Sequence, residues 1–251
     1  MRVKRPRPQS GDEGPPVLLE REGAVLNLTL NRPRVLNAYD VAMRDALHGA
    51  LALAHDDPTI SVVVVRGNGR AFSSGGDLSE FGQAPSPVRA RDVRRVRDVW
   101  GAWSTLPCIA IAGVHGIAAG GGLEMALLCD LVVCAEDARF GLPETSLALV
   151  PGVGGTQTLP RAVGVGRAAA MLLAGDWVDG LTAARIGIAV EAVPARALGA
   201  TVERLAARIA AIDPLLLRAV KAAVARGADL PLAQALGLER RLGAKLGPRL
   251  A

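Results

Sequence analysis

Apolar positions along the chain follow two rhythms. "VLLE" (17–20) and "AVLNLTL" (24–30) alternate apolar and polar residues on either side of Glu22-Gly23, the period-two pattern of a β-hairpin. Residues 40 to 55 open on Asp40, a side chain suited to an N-cap, and carry Met43, Ala46, Leu47, Ala50, Leu51 and Ala54 three and four apart, which predicts an amphipathic helix. "ISVVVVRG" (60–67) is a continuous β-branched run, the pattern of a strand covered on both faces. A helix is expected over 88–105, with Val93, Val96, Trp100 and Trp103 on one stripe and arginines elsewhere. "CIAIAGV" (108–114) reads as another buried strand, 120–129 as a short helix and "LVVCAE" (131–136) as a further strand. From about residue 194 the helical period prevails, with Pro214 and Pro231 standing where the later helices start.

Strands alternating with helices, followed by helices alone, predict an α/β core over 17–193 and an α-helical region over 194–251. The first 16 residues are rich in Arg, Pro and Gly and are expected to form a disordered basic tail; they lack the apolar stretch of a signal peptide. With 251 residues, half of them hydrophobic, the chain can bury a large core. The net charge of +5 is concentrated at the two ends, which favours solvated tails over a nucleic-acid surface. Cys108, Cys129 and Cys134 lie in apolar runs with no CxxC spacing, as buried free thiols of a reducing compartment do. His48, His55 and His115 show no metal-ligand spacing, so no metal is expected. Residues 108–135 are too interrupted by His115, Glu124, Asp130 and glycines to cross a membrane. A soluble, cytoplasmic protein is expected.

"HGIAAGGGLEMALLCD" (115–130) sets three consecutive glycines two residues ahead of Glu124. Glycines so close together weaken a regular element, and a carboxylate among apolar neighbours carries a desolvation cost. The same device occurs about 47 residues earlier. "VVVVRGNGRAFSSGGDL" and "IAIAGVHGIAAGGGLEM" each run from a buried strand through glycines and small residues to an acid. Two such turns can both present backbone N–H groups to one ligand, because glycine lets the main chain come close. A second acid, Glu144, follows Pro143 in "FGLPE" (140–144). Taken singly, each Glu reads as a surface or helix-capping residue; together with the glycine turns they form a constellation.

"LNRPRVLNA" (30–38), "AFSSGGDL" (71–78), "VHGIAAGGGLEMALLCDLVV" (114–133), "FGLPE" and "PGVGGTQ" (151–157) resemble the signatures of the enoyl-CoA hydratase/isomerase (crotonase) family. They come in the family's order and at its spacing, over roughly residues 17 to 225. The resemblance implies a crotonase-like spiral of ββα repeats, followed by a C-terminal helical region that assembles trimers or hexamers. It implies an acyl-CoA thioester as substrate, with no resident cofactor, and a place in metabolism such as that of fatty acids. It also implies an oxyanion hole formed by the N–H groups of Gly76 and Gly121, which would hold charge on the thioester oxygen. Glu124 and Glu144 match the hydratase acid pair around one water. Arg34, Val35 and Leu36, with Ser74, Gly76 and Leu78, match the positions that hold the CoA moiety.

Three departures are visible. The family turn "AGAD" is "SGGD" here, which adds backbone freedom at Gly76; Thr158 stands where an Arg usually follows "GGTQ"; and the chain ends at "LERRLGAKLGPRLA", where close relatives continue with an acidic "DxxEG" stretch and a basic tail that helps close the CoA site. "GVGRAA" (164–169) has a dinucleotide-like outline but follows no strand and lacks a ribose-binding acid. Neither a P-loop nor a GxSxG elbow is present. The favoured activity is hydration of an enoyl-CoA. The alternatives are a double-bond isomerase or another enolate-forming acyl-CoA enzyme, which can keep only one of the acids, and, further off, an RNA-binding relative.

Overall fold

The computed structural model describes residues 14–80 and 96–247. Residues 1–13 of the basic tail, and residues 88–95 of the expected helix with Val93 among them, lie outside the described residues.

The alternating segments form the hairpin of β1 (Val17–Glu22) and β2 (Val25–Leu30), antiparallel with Val17 opposite Leu30 and Glu22 opposite Val25. From β2 the chain passes into α1 (Val41–Asp56), capped by the Asp40 carboxylate, which accepts from the Met43 N–H at 2.9 Å. The predicted stripe of α1 is the one that packs: Met43, Leu47, Ala50, Leu51 and Ala54 are buried. This crossover returns the chain to β3 (Val62–Gly67), parallel to β2. Val62 to Val65 are all buried, as a strand covered on both faces requires. Each such valine contributes roughly 1.5–3 kcal/mol by leaving water.

The helix expected over 88–105 appears among the described residues only as α2 (Val99–Ser104). Val96 lies before it and is 79% exposed, so it does not share the stripe of the fully buried Trp103 and the half-buried Trp100. The Asp98 carboxylate caps α2 by accepting from the Gly101 N–H, which fixes the start of the helix at Val99.

Next come β4 (Ile109–Val114), β5 (Ile117–Ala119), α3 (Gly121–Leu127), β6 (Leu131–Ala135) and β7 (Arg139–Gly141). A one-and-a-half-turn 3₁₀ segment, Pro143–Leu147, precedes α4 (Gly155–Val163) and α5 (Val165–Ala169). The remaining elements are β8 (Val178–Asp179), α6 (Gly180–Ile186), β9 (Glu191–Val193), α7 (Leu198–Ala210), α8 (Pro214–Gly227) and α9 (Leu232–Leu246). The main sheet has the order β1-β2-β3-β4-β6-β9, parallel from β2 onward. A second sheet of β5, β7 and β8 lies beside it. "GVGRAA" follows α4 and forms α5, so it does not follow a strand.

Of the last three helices, α7 enters the core through Val202 and Ala206, while α8 and α9 have no buried residue. Asp213 caps α8 by accepting from the N–H groups of Leu215 and Leu216, and Pro214 takes the first helical position, where its missing N–H costs nothing. The three cysteines are free and buried. Burial pushes the Cys108 thiol up to about 11 and the Cys134 thiol up to about 12, so neither is a nucleophile near neutral pH.

Candidate active site

The two glycine turns leave neighbouring parallel strands and are laced to each other. Ser73 N–H donates to Ile117 O and Ala119 N–H to Ser73 O, both at 3.0 Å. Tyr39 brackets Gly76 in the same way, donating to Gly75 O at 2.9 Å and accepting from Asp77 N–H at 2.9 Å. In parallel pairing the bracketed residue's own N–H and C=O point away from the partner strand, so the Gly76 N–H is turned from Tyr39. Gly121 is the first residue of α3, and its N–H is one of those left without an intrahelical acceptor.

The left-handed backbone falls on Gly75, at φ +92°, and not on Gly76, where "SGGD" departs from the family turn. A Cβ on Gly75 would stand 2.7 Å from Ala119 O and 3.0 Å from Gly121 N. The two turns therefore touch at their glycines, which brings the predicted donors together.

The small sheet delivers the acids. β5 ends at Ala119, just before Gly120, and β7 at Gly141, and the Gly120 N–H donates to Gly141 O at 2.9 Å. Glu124 lies one turn into α3 and Glu144 three residues past β7. A Cβ on Gly120, itself at φ +50°, would stand 2.7 Å from Glu144 Oε1, so the first glycine of the triplet makes room for the second acid. Glu124 is 1% exposed, and its Oε1 accepts from Val153 N–H at 2.9 Å and Gly155 N–H at 2.7 Å. Those donors come from the "PGVGGTQ" turn that opens α4.

The acids differ in electrostatics. Burial raises the Glu124 carboxyl above its ordinary 4.5, against the pull of hydrogen bonds from Gly155, Val153 and Gly154. Burial also raises Glu144, and the neighbouring Glu124 charge pushes it the same way. Glu144 Oε2 is buried with no hydrogen-bond partner among the described residues. Hydrogen bonds to a carboxylate favour its charged form and a neighbouring like charge favours the neutral one. The two acids thus differ in their surroundings: main-chain donors hold Glu124 Oε1, while Glu144 Oε2 has no such partner among the described residues.

The residues matched to CoA form one rim. Ser74 N–H donates to Leu36 O at 2.9 Å and its hydroxyl to Val35 O at 3.2 Å. Leu36 closes the 3₁₀ turn Pro33–Val35 in the left-handed region, at φ +54°. Arg34, Val35 and Leu78 are exposed. Gly76 joins the rim to the predicted oxyanion donors. A separate groove of about 360 Å³ between β2, β3 and α7 holds none of the predicted residues.

Sequence reasoning missed three supports. Asn37 is fully buried at φ +55°; its amide donates to Asn68 O at 2.9 Å and Ala71 O at 2.8 Å, and its Oδ1 accepts from Arg32 N–H at 2.8 Å. Arg32 pairs with Asp40 at 3.1 Å and Asp77 at 3.2 Å, tying the ends of both segments that meet at Tyr39. Burial opposes ionisation of Asp77, but donors from Ser79 and Arg32 outweigh it and hold the carboxyl below its usual range. The third is Tyr39. The only signal for these residues was their place in or beside "LNRPRVLNA".

With this geometry in view, comparison with known proteins identifies the class. A model of the enoyl-CoA hydratase/isomerase family matches residues 20–248, and the chain belongs to that family. It is 38% identical over 226 residues to a 2,3-dehydroadipyl-CoA hydratase of Escherichia coli, covering 90% of this chain and 88% of the relative. It is 34% identical over 225 residues to a crotonyl-CoA hydratase of Syntrophomonas wolfei, covering 89% and 86%. An enoyl-CoA hydratase structure from Geobacillus kaustophilus superposes with a TM-score of 0.86 at 36% identity, over 92% of this chain and 89% of that one. The fold is the crotonase fold, α/β with a C-terminal helical region, and no described helix is long and apolar enough to cross a membrane.

Proposed function

We propose that the protein hydrates the 2,3 double bond of an enoyl-CoA thioester. The observation that carries this reading is the convergence of two carboxylates, Glu124 and Glu144, on the glycine turns of Gly76 and Gly121. In this reading both N–H groups hold the thioester oxygen, and negative charge gathers there as the nucleophile attacks Cβ. Donors fixed beforehand favour the enolate over the ground state. Glu124, whose Oε1 is held by two main-chain donors, takes a proton from water as the hydroxyl oxygen bonds to Cβ. Glu144, whose carboxyl is raised by burial and by the Glu124 charge, gives its proton to Cα. A water is then added across the bond, and passing one proton from Glu124 back to Glu144 resets the pair.

The thioester is the substrate, and the chemistry calls for no resident cofactor or metal. Arg34, Val35, Leu36, Ser74, Gly76 and Leu78 take the CoA moiety on this reading. The working form is a trimer or hexamer in the reducing cytoplasm, where three buried free thiols are at home.

The test follows hydration of enoyl-CoA thioesters from short to long by loss of their conjugated absorbance. E124Q and E144Q should each lower kcat by roughly 10²–10⁴, the usual worth of a positioned acid or base. Because the acids act as a unit, the double variant should be scarcely worse than the poorer single. An isomerase would show one indispensable acid, one silent acid and faster turnover of 3-enoyl than of 2-enoyl thioesters. A silent Glu124 or Glu144 ends the hydratase reading.

A further inference from the structure

Tyr39 is the chain's single tyrosine, and nothing so far gives its ring a task. Its main chain brackets Gly76 through the bonds to Gly75 O and Asp77 N–H. Its ring reaches the other turn. A Cβ on Gly121 would stand 2.5 Å from Tyr39 Cε1, 3.1 Å from its Oη and 3.2 Å from its Cζ. The ring edge thus occupies the space that any side chain at 121 would need. Trp100 meets the same ring edge to face, with centroids 5.3 Å apart at 71°, and Trp100 stacks at 6.4 Å on Trp103, which is buried in the core. In a chain only 3% aromatic, two of three tryptophans back this one tyrosine.

We infer that Tyr39 is a positioning residue that fixes the spacing of the two oxyanion donors. One residue holds Gly76 through its backbone and Gly121 through its ring, and the aromatic stack behind it sets how far the ring can yield. Edge-to-face packing gives the ring a preferred seat against Trp100, so the peptide of Gly121 cannot shift toward the ring without moving Trp100. The role of Gly121 follows as well. It is glycine because Tyr39 takes its Cβ position, not because its backbone is left-handed. The inference rests on the reading of Gly76 and Gly121 as donors, and it holds whichever enolate-forming reaction this site carries out.

A cycle of variants tests it: Y39A, Y39F, G121A and Y39A/G121A. The readouts are kcat and KM for an enoyl-CoA, thermal melting, and the enolate absorbance of bound acetoacetyl-CoA. Y39A should lower kcat by roughly 10- to 100-fold, the scale of an ångström-size misplacement, leave KM within about threefold because the CoA rim is untouched, and weaken the enolate band. Y39F should restore most of the lost rate. G121A should be crippled in the wild-type background, where the new methyl meets the ring, and Y39A/G121A should recover at least about 10-fold over G121A, a coupling that only touching residues show. Enolate absorbance equal in Y39A and wild type, or G121A equally impaired with and without Tyr39, would overturn the role of Tyr39 while leaving the donors in place. A wild-type protein that neither turns over enoyl-CoA nor perturbs acetoacetyl-CoA would overturn the donor reading itself, and the inference with it.

Discussion

Glu144 has an orphaned oxygen in a buried setting next to a second carboxyl, and that arrangement has a thermodynamic signature apart from catalysis. Its carboxyl is raised in the folded protein above the ordinary 4.5, first by burial and then by Glu124. In the unfolded chain it ionises near that ordinary value. As pH rises through the window above 4.5, the unfolded state sheds a proton that the folded state keeps, so stability is lost across the window until the folded carboxyl also ionises. E144Q removes the titration. Its melting temperature, less that of the wild type, should climb as pH rises above the ordinary 4.5 and level off once the folded carboxyl has ionised. A pH-independent difference would show that Glu144 is not held neutral by the fold. The two acids were legible in the sequence because each sits beside glycine or proline in a patterned stretch. Asn37 and Tyr39 were not, because their tasks depend on main chain that arrives from 31 to 82 residues away: Asn68, Ala71, Gly76 and Gly121. No local pattern encodes such an encounter.

Strands with a long alternation or apolar run were legible, as was the short helix over 120–129, while strands of two or three residues were not. The hairpin, α1 and strands β3, β4 and β6 each show six or more patterned residues, or a continuous apolar run. β5, β7 and β8 have three, three and two residues, below the length at which alternation can be recognised, yet this small sheet is what brings Gly120 to Glu144. The stripe expected over 88–105 is broken at Val96, which lies in an exposed turn ahead of the Asp98 cap of α2. The way α8 is attached was equally hidden. Lys221 donates to Cys108 O and to Asp130 Oδ2, both at 2.7 Å, and Asp130 also accepts from Ala110 N–H. One lysine therefore pins a helix with no buried residue to the start of β4 and the turn before β6. The pair is mostly sheltered, with side-chain exposures of 15% and 27%. K221M keeps the aliphatic stem and removes the charge-assisted bonds, so it should lower the unfolding free energy in urea by about 1.5–3 kcal/mol. An unchanged midpoint would mean that α8 is held by something other than this contact.

The molecule as a whole leaves apolar surface that one chain does not cover. α8 exposes Val220 and Val224, at 53% and 69%, and α9 exposes Leu232 and Leu236, at 75% and 48%, while neither helix buries a single residue. An amphipathic helix is held by burying its apolar stripe, and contiguous exposed apolar patches on soluble proteins mark surfaces of association. The mature core needs only α7 from this region, since Val202 and Ala206 already close the sheet. The surplus is what the proposed trimer or hexamer would use, with each protomer's α8 and α9 covered by a neighbour. Light scattering should then give three or six times the 25.9 kDa of one chain. Val224→Lys with Leu232→Lys places two charges on that surface, where burial would strip their hydration at a cost of several kcal/mol each. The pair should shift the particle toward the monomer and lower its melting temperature in a concentration-dependent way, since association stabilises by mass action. A wild-type protein that scatters as a clean monomer at working concentration, or a double variant with the wild-type mass, would remove α8 and α9 as the assembly surface.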